Sequence, residues 1–213
     1  MRRTWILSVI AVISCFALGW TNSQPVLRLL QSGPVKVSAH LQWASNAGTV
    51  GQQVEEADAI VRGRIVKVLT PRVFESQLPS EPEDRRSLPR FSVVALTEAI
   101  LVVDHVYTGD VPNRIRIIQT GGFVPGNGNH PELLIEVADD PLLTKGKDHV
   151  FFLKKIPEDD PVLGGNGKLY TIVNSAGRYD VDGDKVKSYS ALPGQRPTSL
   201  RDLRQQIRVA VNR

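Results

Sequence analysis

The sequence is poor in residues that carry much of the common chemistry of small domains. Among its 213 residues, Cys15 is the one cysteine. A lone cysteine allows no disulfide within the chain, and a cysteine-based zinc site needs several. Because Cys15 lies close to the N-terminus, the rest of the chain also has no cysteine nucleophile. Packing alone must therefore stabilise the fold.

An excess of charge of one sign is also missing. The formal net charge is +4, and Arg2 and Arg3 supply two of these charges. The other basic residues are interspersed with Asp and Glu, so we predict no nucleic-acid partner. The sequence contains no glycine loop followed by Lys-Ser or Lys-Thr and no Gly-x-Ser-x-Gly elbow. This excludes a P-loop phosphate site and the usual serine hydrolase nucleophile.

The one long hydrophobic run lies at the N-terminus. Two arginines precede residues 5–20, which are uncharged and mostly apolar, and Ala17 and Gly19 have the spacing of a signal-peptidase site. We therefore predict that residues 1–19 are a signal peptide or an N-terminal membrane anchor. The chain is then exported, either secreted or periplasmic, or anchored to the outer face of the membrane.

Lipidation is an alternative for this leader. The four residues ending in Cys15 match a bacterial lipobox, which makes Cys15 a lipidation candidate. Residues 16–20 remain apolar, however, where a lipoprotein normally turns polar. This favours Cys15 as an ordinary leader residue, and we expect membrane contact only through the N-terminal segment.

Most of the remaining chain has β-strand patterns. Strands are predicted at residues 59–69, 91–108, 114–120, 132–138, 149–154 and 169–173, with a hairpin at 178–189 around an Asp-Gly turn. Gly63 lies inside the first strand, which indicates a bulge or a close backbone approach. Residues 91–108 carry apolar side chains at both parities. This predicts a bend or bulge at which the buried face switches, as in the closing strand of a small barrel.

Helices are predicted near both ends of this β-rich region. Thr49 and Gln52 have capping-box spacing, and Ser199 precedes an apolar stripe of Leu200, Leu203 and Ile207. The simplest use of that stripe is packing against the strands, and a basic helix on a membrane surface is the alternative. Residues 70–90 and 123–131 are predicted as loops.

Candidate chemistry is sparse. His105, His130 and His149 are far apart in sequence, so structural roles are favoured, and a metal site or hydrolase using them is the alternative. Asp180, Asp182 and Asp184 are spaced unlike a calcium loop, and a hairpin turn explains them. The pair at residues 139–140, like that at 159–160, precedes a proline and is explained as turn residues. We predict no catalytic, metal or cofactor-binding residue and no cofactor.

The order of motifs resembles a known family. These motifs are Glu56-Ala57-Asp58 before the strand with Gly63, then Val102 to Gly109, Gly121-Gly122, Phe152-Leu153, and Gly177-Arg178-Tyr179 with Asp182-Gly183. The region from Thr49 to Tyr189 is similar to exported bacterial domains of the tissue-inhibitor-of-metalloproteinases and netrin-like type. The resemblance implies a five-stranded OB-like β-barrel with flanking helices.

We accordingly predict a mainly β chain of four parts. Residues 1–19 are the leader, 20–48 a spacer, 49–190 the OB-like barrel, and 191–213 a linker and C-terminal amphipathic helix. The inhibitors' mechanism requires an N-terminal cysteine on the folded domain, and Cys15 lies in the leader, so that mechanism does not carry over. We expect a non-catalytic domain that binds a protein or envelope component through the two loops. A membrane-tethered accessory or spacer domain is a further alternative.

Overall fold

The computed structural model describes residues 33–39, 47–77, 91–127, 130–138, 140–160, 163, 168–189 and 197–213. Its strands are β1 (Val35–Ala39), β2 (Ala59–Val68), β3 (Arg72–Gln77), β4 (Phe91–Thr108), β5 (Arg114–Thr120), β6 (Gly122–Val124), β7 (Leu133–Val137), β8 (Asp148–Lys155), β9 (Leu169–Ile172), β10 (Arg178–Asp182) and β11 (Lys185–Ser188). Its helices are α1 (Val50–Glu56) and α2 (Leu200–Val211). The mainly β class is confirmed. Within the described ranges, neither helix has the length and apolarity needed to cross a membrane.

Five strands form a closed ring of hydrogen-bonded neighbours. β2 pairs with β4 and β8, β5 pairs with β4 and β9, and β9 pairs with β8. The β5–β9 pairing is parallel, and the other four are antiparallel. Outside the ring, β10 pairs with β8 and β11 pairs with β10. β3 pairs with the N-terminal part of β4, and β2 pairs with the C-terminal part.

Apolar side chains fill the interior of the ring. Phe151 and Leu153 of β8 share one cluster with Val61 of β2, Leu101 of β4 and Ile117 of β5, and all five are fully buried. Phe151 and Leu153 have the alternate spacing of one strand face. Burying a side chain of this size contributes about 1.5–3 kcal/mol. The interior is therefore a packed core.

A second core lies on the opposite face of the same strands. Ile60 of β2 and Phe152 of β8 pack there against Val50 of α1 and against Leu203 and Ile207 of α2. The apolar stripe of α2 therefore covers the sheet, as its spacing predicts. The membrane-surface alternative for that stripe is wrong, because the stripe is buried.

Both helices begin at the predicted capping residues. The Thr49 hydroxyl accepts a hydrogen bond from the backbone N–H of Gln52, whose side chain accepts one from the Thr49 N–H. The Ser199 hydroxyl accepts a hydrogen bond from the N–H of Asp202. Such caps satisfy N–H groups that the first turn leaves unpaired, and each contributes about 1 kcal/mol.

The long strand β4 is irregular, as its mixed pattern predicts. Its pairing with β2 shifts register at three points. Leu101 lies in the ring interior, whereas Tyr107, at the same parity, packs in the core beneath the helices. Gly63 lies at one of the shifts, where an added Cβ would be 2.2 Å from the carbonyl oxygen of Val102. The bulge and the close backbone approach are both confirmed.

Three segments predicted to be irregular contain strands. The loop predicted at residues 123–131 is wrong at its start, because residues 123 and 124 belong to β6. The loop prediction for residues 70–90 is wrong in part, because β3 occupies Arg72–Gln77 and pairs with β4. Residues 78–90 lie outside the described ranges. Within the predicted spacer, β1 pairs with β7, which also pairs with β6, and this small sheet packs on β3 and β4. β3 lacks the alternation by which half-buried strands are recognised, and β1 has it over only five residues.

Candidate functional site

Described parts of the two segments that the sequence predicts as contact loops meet in space: β3 in the first segment, and Asn127 and His130 in the second. Glu75 of β3 accepts a hydrogen bond from the side-chain amide of Asn127 at 2.9 Å, and its Oε1 lies 3.0 Å from Nε2 of His130. The N–H of His130 donates to Oδ1 of Asn127 at 3.1 Å. We call Glu75, Asn127 and His130 the loop junction. It ties the segment after β6 to the far end of β3.

His130 is held between two acceptors. Its Nδ1 lies 2.8 Å from the carbonyl oxygen of Pro131, and its Nε2 faces the Glu75 carboxylate. Neither oxygen carries a proton to donate, so both contacts are hydrogen bonds only when both ring nitrogens are protonated. The Pro131 carbonyl, followed by Glu75, raises the pKa of His130. The junction is therefore an ion pair when His130 is charged.

Two large apolar side chains are exposed on β3 and β6, the strands next to the loop junction. Phe74, next to Glu75, is 37% exposed, and Phe123 of β6 is 41% exposed. Within the described residues, β3 pairs with β4 alone, so one edge of β3 has no strand partner. An exposed strand edge with nearby aromatic side chains is suited to pairing with an extended segment of another protein.

A second polar group lies at one end of the ring interior. Arg178 is 2% exposed and its Nη1 lies 3.2 Å from Oδ1 of Asp140, which is 1% exposed. Asp180 lies 2.8 Å from Nδ1 of His149 and accepts a hydrogen bond from the Tyr189 hydroxyl. The guanidinium of Arg178 also stacks over the Tyr189 ring at 4.6 Å. These five residues form the interior charge cluster.

Burial and ion pairing shape the electrostatics of this cluster. Burial raises the pKa of Asp140 against the opposing effect of Arg178. Burial also acts to raise the pKa of Asp180, but the contacts from His149 and Tyr189, with help from Arg178, outweigh it and lower that pKa. Burial, followed by Asp180, raises the pKa of Tyr189 to about 12. Through the His149–Asp180 and Arg178–Asp140 contacts, the cluster joins β8 and the β10–β11 hairpin to the turn at Asp140.

Another buried carboxylate belongs to β4. Glu98 is 4% exposed, accepts a hydrogen bond from Arg72 of β3, and lies 3.2 Å from Nη1 of Arg116 of β5. Arg72 also donates to the carbonyl oxygen of Leu163 at 3.4 Å. These contacts cross-link three strands and a loop, which is a structural role.

The three candidate histidines lie in different surroundings. His149 is in the interior charge cluster, and His130 is in the loop junction. His105 is exposed and lies edge-on to Tyr107, with ring centroids 4.6 Å apart. In the described part of the chain, no three potential metal ligands are grouped together. Cys15 lies outside that part.

Several buried polar residues were not predicted as such. The sequence predicts Asp140 to be a turn residue, but it is the buried ion-pair partner of Arg178. Asp180 was assigned to a hairpin turn, and its carboxylate contacts His149, whereas Asp182 and Asp184 are exposed. Strand parity could have indicated that Arg178 and Asp180 face inward. They pair with Phe151 and His149, whose side chains are on the inward-facing side of β8.

Comparison with known proteins assigns neither a family nor a function to the chain. No protein-family model matches the sequence, and no characterised protein matches it.

Proposed function

We propose that this chain is an exported, non-catalytic domain with an OB-like β-barrel, which binds a protein or envelope component through the loop junction. One observation carries the proposal. Two segments chosen from the sequence as contact loops are joined through Glu75, Asn127 and His130. A surface built from separate segments and held by charged hydrogen bonds is rigid enough for specific recognition.

The connectivity of the ring supports the OB-like assignment. Its strands in chain order are β2, β4, β5, β8 and β9, and β9 closes the ring between β5 and β8. This order, with one parallel pairing, matches the five-stranded Greek-key barrel of OB domains. It also agrees with the resemblance to the netrin-like family. The fold by itself does not specify a ligand.

The surroundings of the loop junction support a protein partner. Within the described residues the edge of β3 away from β4 has no partner strand and so offers backbone donors and acceptors, and Phe74 and Phe123 offer apolar contacts. Strand addition uses both kinds of contact: backbone hydrogen bonds give affinity and side-chain contacts give specificity. The alternative of a hydrolase gains less support, because His105, His130 and His149 contact different residues.

Site-specific photo-crosslinking tests the proposed surface. A photo-reactive residue at Phe74 or at Phe123 in the full chain should give the same covalent adduct in intact cells. The same residue at Val106, which is 38% exposed on another part of the surface, is the matched control. Adducts that are equal at Phe74 and Val106, or adducts absent from both Phe74 and Phe123, would count against this surface.

A pair of substitutions separates the junction from charge in general. Glu75→Ala removes the acceptor shared by Asn127 and His130, so adduct yield at Phe74 should fall severalfold. Glu158→Ala removes an exposed carboxylate elsewhere and should leave the yield unchanged.

Intact mass from soluble and membrane fractions tests the proposed export. A mass starting after residue 19 supports a cleaved leader, and a full-length or lipid-modified mass in the membrane supports a tether.

A further inference from the structure

His130 joins a closed turn to the neighbouring strand β3. The N–H of Asn127 donates to the carbonyl oxygen of His130 at 3.0 Å, and the N–H of His130 donates to Oδ1 of Asn127 at 3.1 Å. These two bonds involve no titratable group. The turn reaches β3 through the side chains of Asn127 and His130, both of which contact Oε1 of Glu75. The attachment to β3, unlike the turn itself, therefore depends on a titratable side chain.

The ring of His130 faces two acceptors, so its contacts depend on its protonation state. A neutral imidazole has one donor nitrogen and one acceptor nitrogen, whereas the Pro131 carbonyl and the Glu75 carboxylate both only accept. Loss of the second proton thus places a nitrogen lone pair against an oxygen. Because the Pro131 carbonyl belongs to the next residue and stays near the ring, we expect the contact with Glu75 to open. The junction then loses a charge-assisted hydrogen bond.

Glu75 is the charged group that acts on His130. β3 supplies this carboxylate, the segment after β6 supplies the uncharged Asn127, and the residues before β7 supply the Pro131 carbonyl and the exposed Glu132. The side chain of His130 is 10% exposed and that of Glu75 is 33% exposed. A partly buried ion pair is screened by salt much less than a fully exposed one. One proton therefore controls the contact between the turn and β3.

We propose that protonation of His130 regulates partner binding at the loop junction, with binding strongest when the ring is charged and weaker as pH rises. This proposal rests on the proposed function of the same surface. A partner that contacts both Phe74 of β3 and Phe123 of β6 needs the two segments held in one arrangement, and the Glu75–His130 contact helps to hold them. A surface that is already ordered does not have to be ordered by the partner, so binding costs less.

The purified full chain tests the titration without a partner. Histidine resonances followed by NMR between about pH 5 and about pH 9 should show His130 titrating with a midpoint above the ordinary value of about 6.5. Glu75→Gln keeps an acceptor oxygen but removes the charge, so this midpoint should fall. Glu132→Gln removes an exposed carboxylate two residues from His130 and should leave the midpoint nearly unchanged. Equal midpoints in the native chain and Glu75→Gln would overturn the proposal.

Adduct formation measures the effect on binding. A photo-reactive residue at Phe74 is irradiated in envelope fractions buffered at about pH 5.5 and about pH 8.5, values on either side of histidine titration. The yield of the adduct also formed in intact cells should fall severalfold at the higher pH. His130→Gln keeps a side-chain donor for Glu75 at both pH values, so its yield should not change with pH. His105→Gln, at an exposed histidine outside the junction, should keep the native dependence.

The outcomes separate this regulation from the proposed function. Adducts at Phe74 and Phe123 whose yields are constant with pH, or change equally in His130→Gln, overturn the regulation and leave the binding surface in place. Adducts absent from both positions at every pH overturn the binding surface, and the regulation falls with it.

Discussion

Arg178 is a buried charged residue whose desolvation must be offset by an ion pair. Its guanidinium and the Asp140 carboxylate are both almost fully buried, so each depends on the other for compensation. Arg178→Met keeps much of the side-chain volume but leaves a carboxylate unpaired. We expect the free energy of unfolding, measured by urea denaturation, to fall by about 3–5 kcal/mol.

Two further variants locate this loss in the ion pair. Lys185→Met, at an exposed position of the same hairpin, should change the free energy of unfolding by less than about 0.5 kcal/mol. Adding Asp140→Asn to Arg178→Met should recover part of the loss, because the unpaired charge is then removed. A loss near that of the Lys185 control would show that water reaches Asp140 and solvates it.

His130 should make stability depend on pH in a defined direction. Its pKa is raised in the folded state by the Pro131 carbonyl and Glu75. The stabilisation is therefore complete below the ordinary histidine pKa of about 6.5 and is lost as pH rises through the folded-state pKa. The difference in unfolding free energy between the native chain and His130→Gln should shrink as pH rises through this window. A difference that is constant with pH, or one that grows, would contradict the ion pair.

At the scale of a strand, Gly63 is a requirement of the β2–β4 contact. A Cβ at this position would lie 2.2 Å from a backbone oxygen, which moves only with its whole strand. We expect Gly63→Ala to lower the free energy of unfolding by at least about 2 kcal/mol, within the range of overpacking. Gly51→Ala is the control, since its Cβ would meet its nearest atom at 4.0 Å and it lies in α1. That change should be neutral or stabilising by up to about 1 kcal/mol, and equal losses in both variants would contradict the steric argument.

The elements that the sequence predicts well are those with a continuous apolar run, a single apolar face or a clear cap. β8, with Phe151 and Phe152 on opposite faces, and α2, with its Ser199 cap and apolar stripe, carry strong local signals. β1 and β3 are short edge strands, and their pairing partners, not their own composition, determine their structure. Ring closure between β8 and β9 is likewise a property of tertiary packing.

The candidate sites divide in the same way. Loop lengths were enough to select the segments around Glu75 and His130, but not to predict that those two side chains meet. The pairing of Arg178 with Asp140 joins residues far apart in the chain, one in a strand and one in a turn. Neither residue has an unusual neighbour in sequence, so single-sequence reasoning had no signal for the partner of either.

For the whole molecule, one sheet separates and couples two cores. Phe151 packs in the ring interior and the adjacent Phe152 packs beneath the helices. Movement of β8 would disturb both cores at once, because its backbone cannot shift one side chain and leave its neighbour in place. We therefore expect the ring and the helices to unfold together as one cooperative unit.

Leu203→Ala tests this coupling from the helix side. Leu203 is fully buried, so the truncation should lower the free energy of unfolding by about 2–5 kcal/mol. Val209→Ala, at a position 49% exposed, should change it by less than about 0.5 kcal/mol. In Leu203→Ala, hydrogen exchange of amides in β4 and β8 should accelerate as much as exchange in α2, because both open through global unfolding. If acceleration were confined to α2, the helix would be a separate unit resting on an independently stable ring.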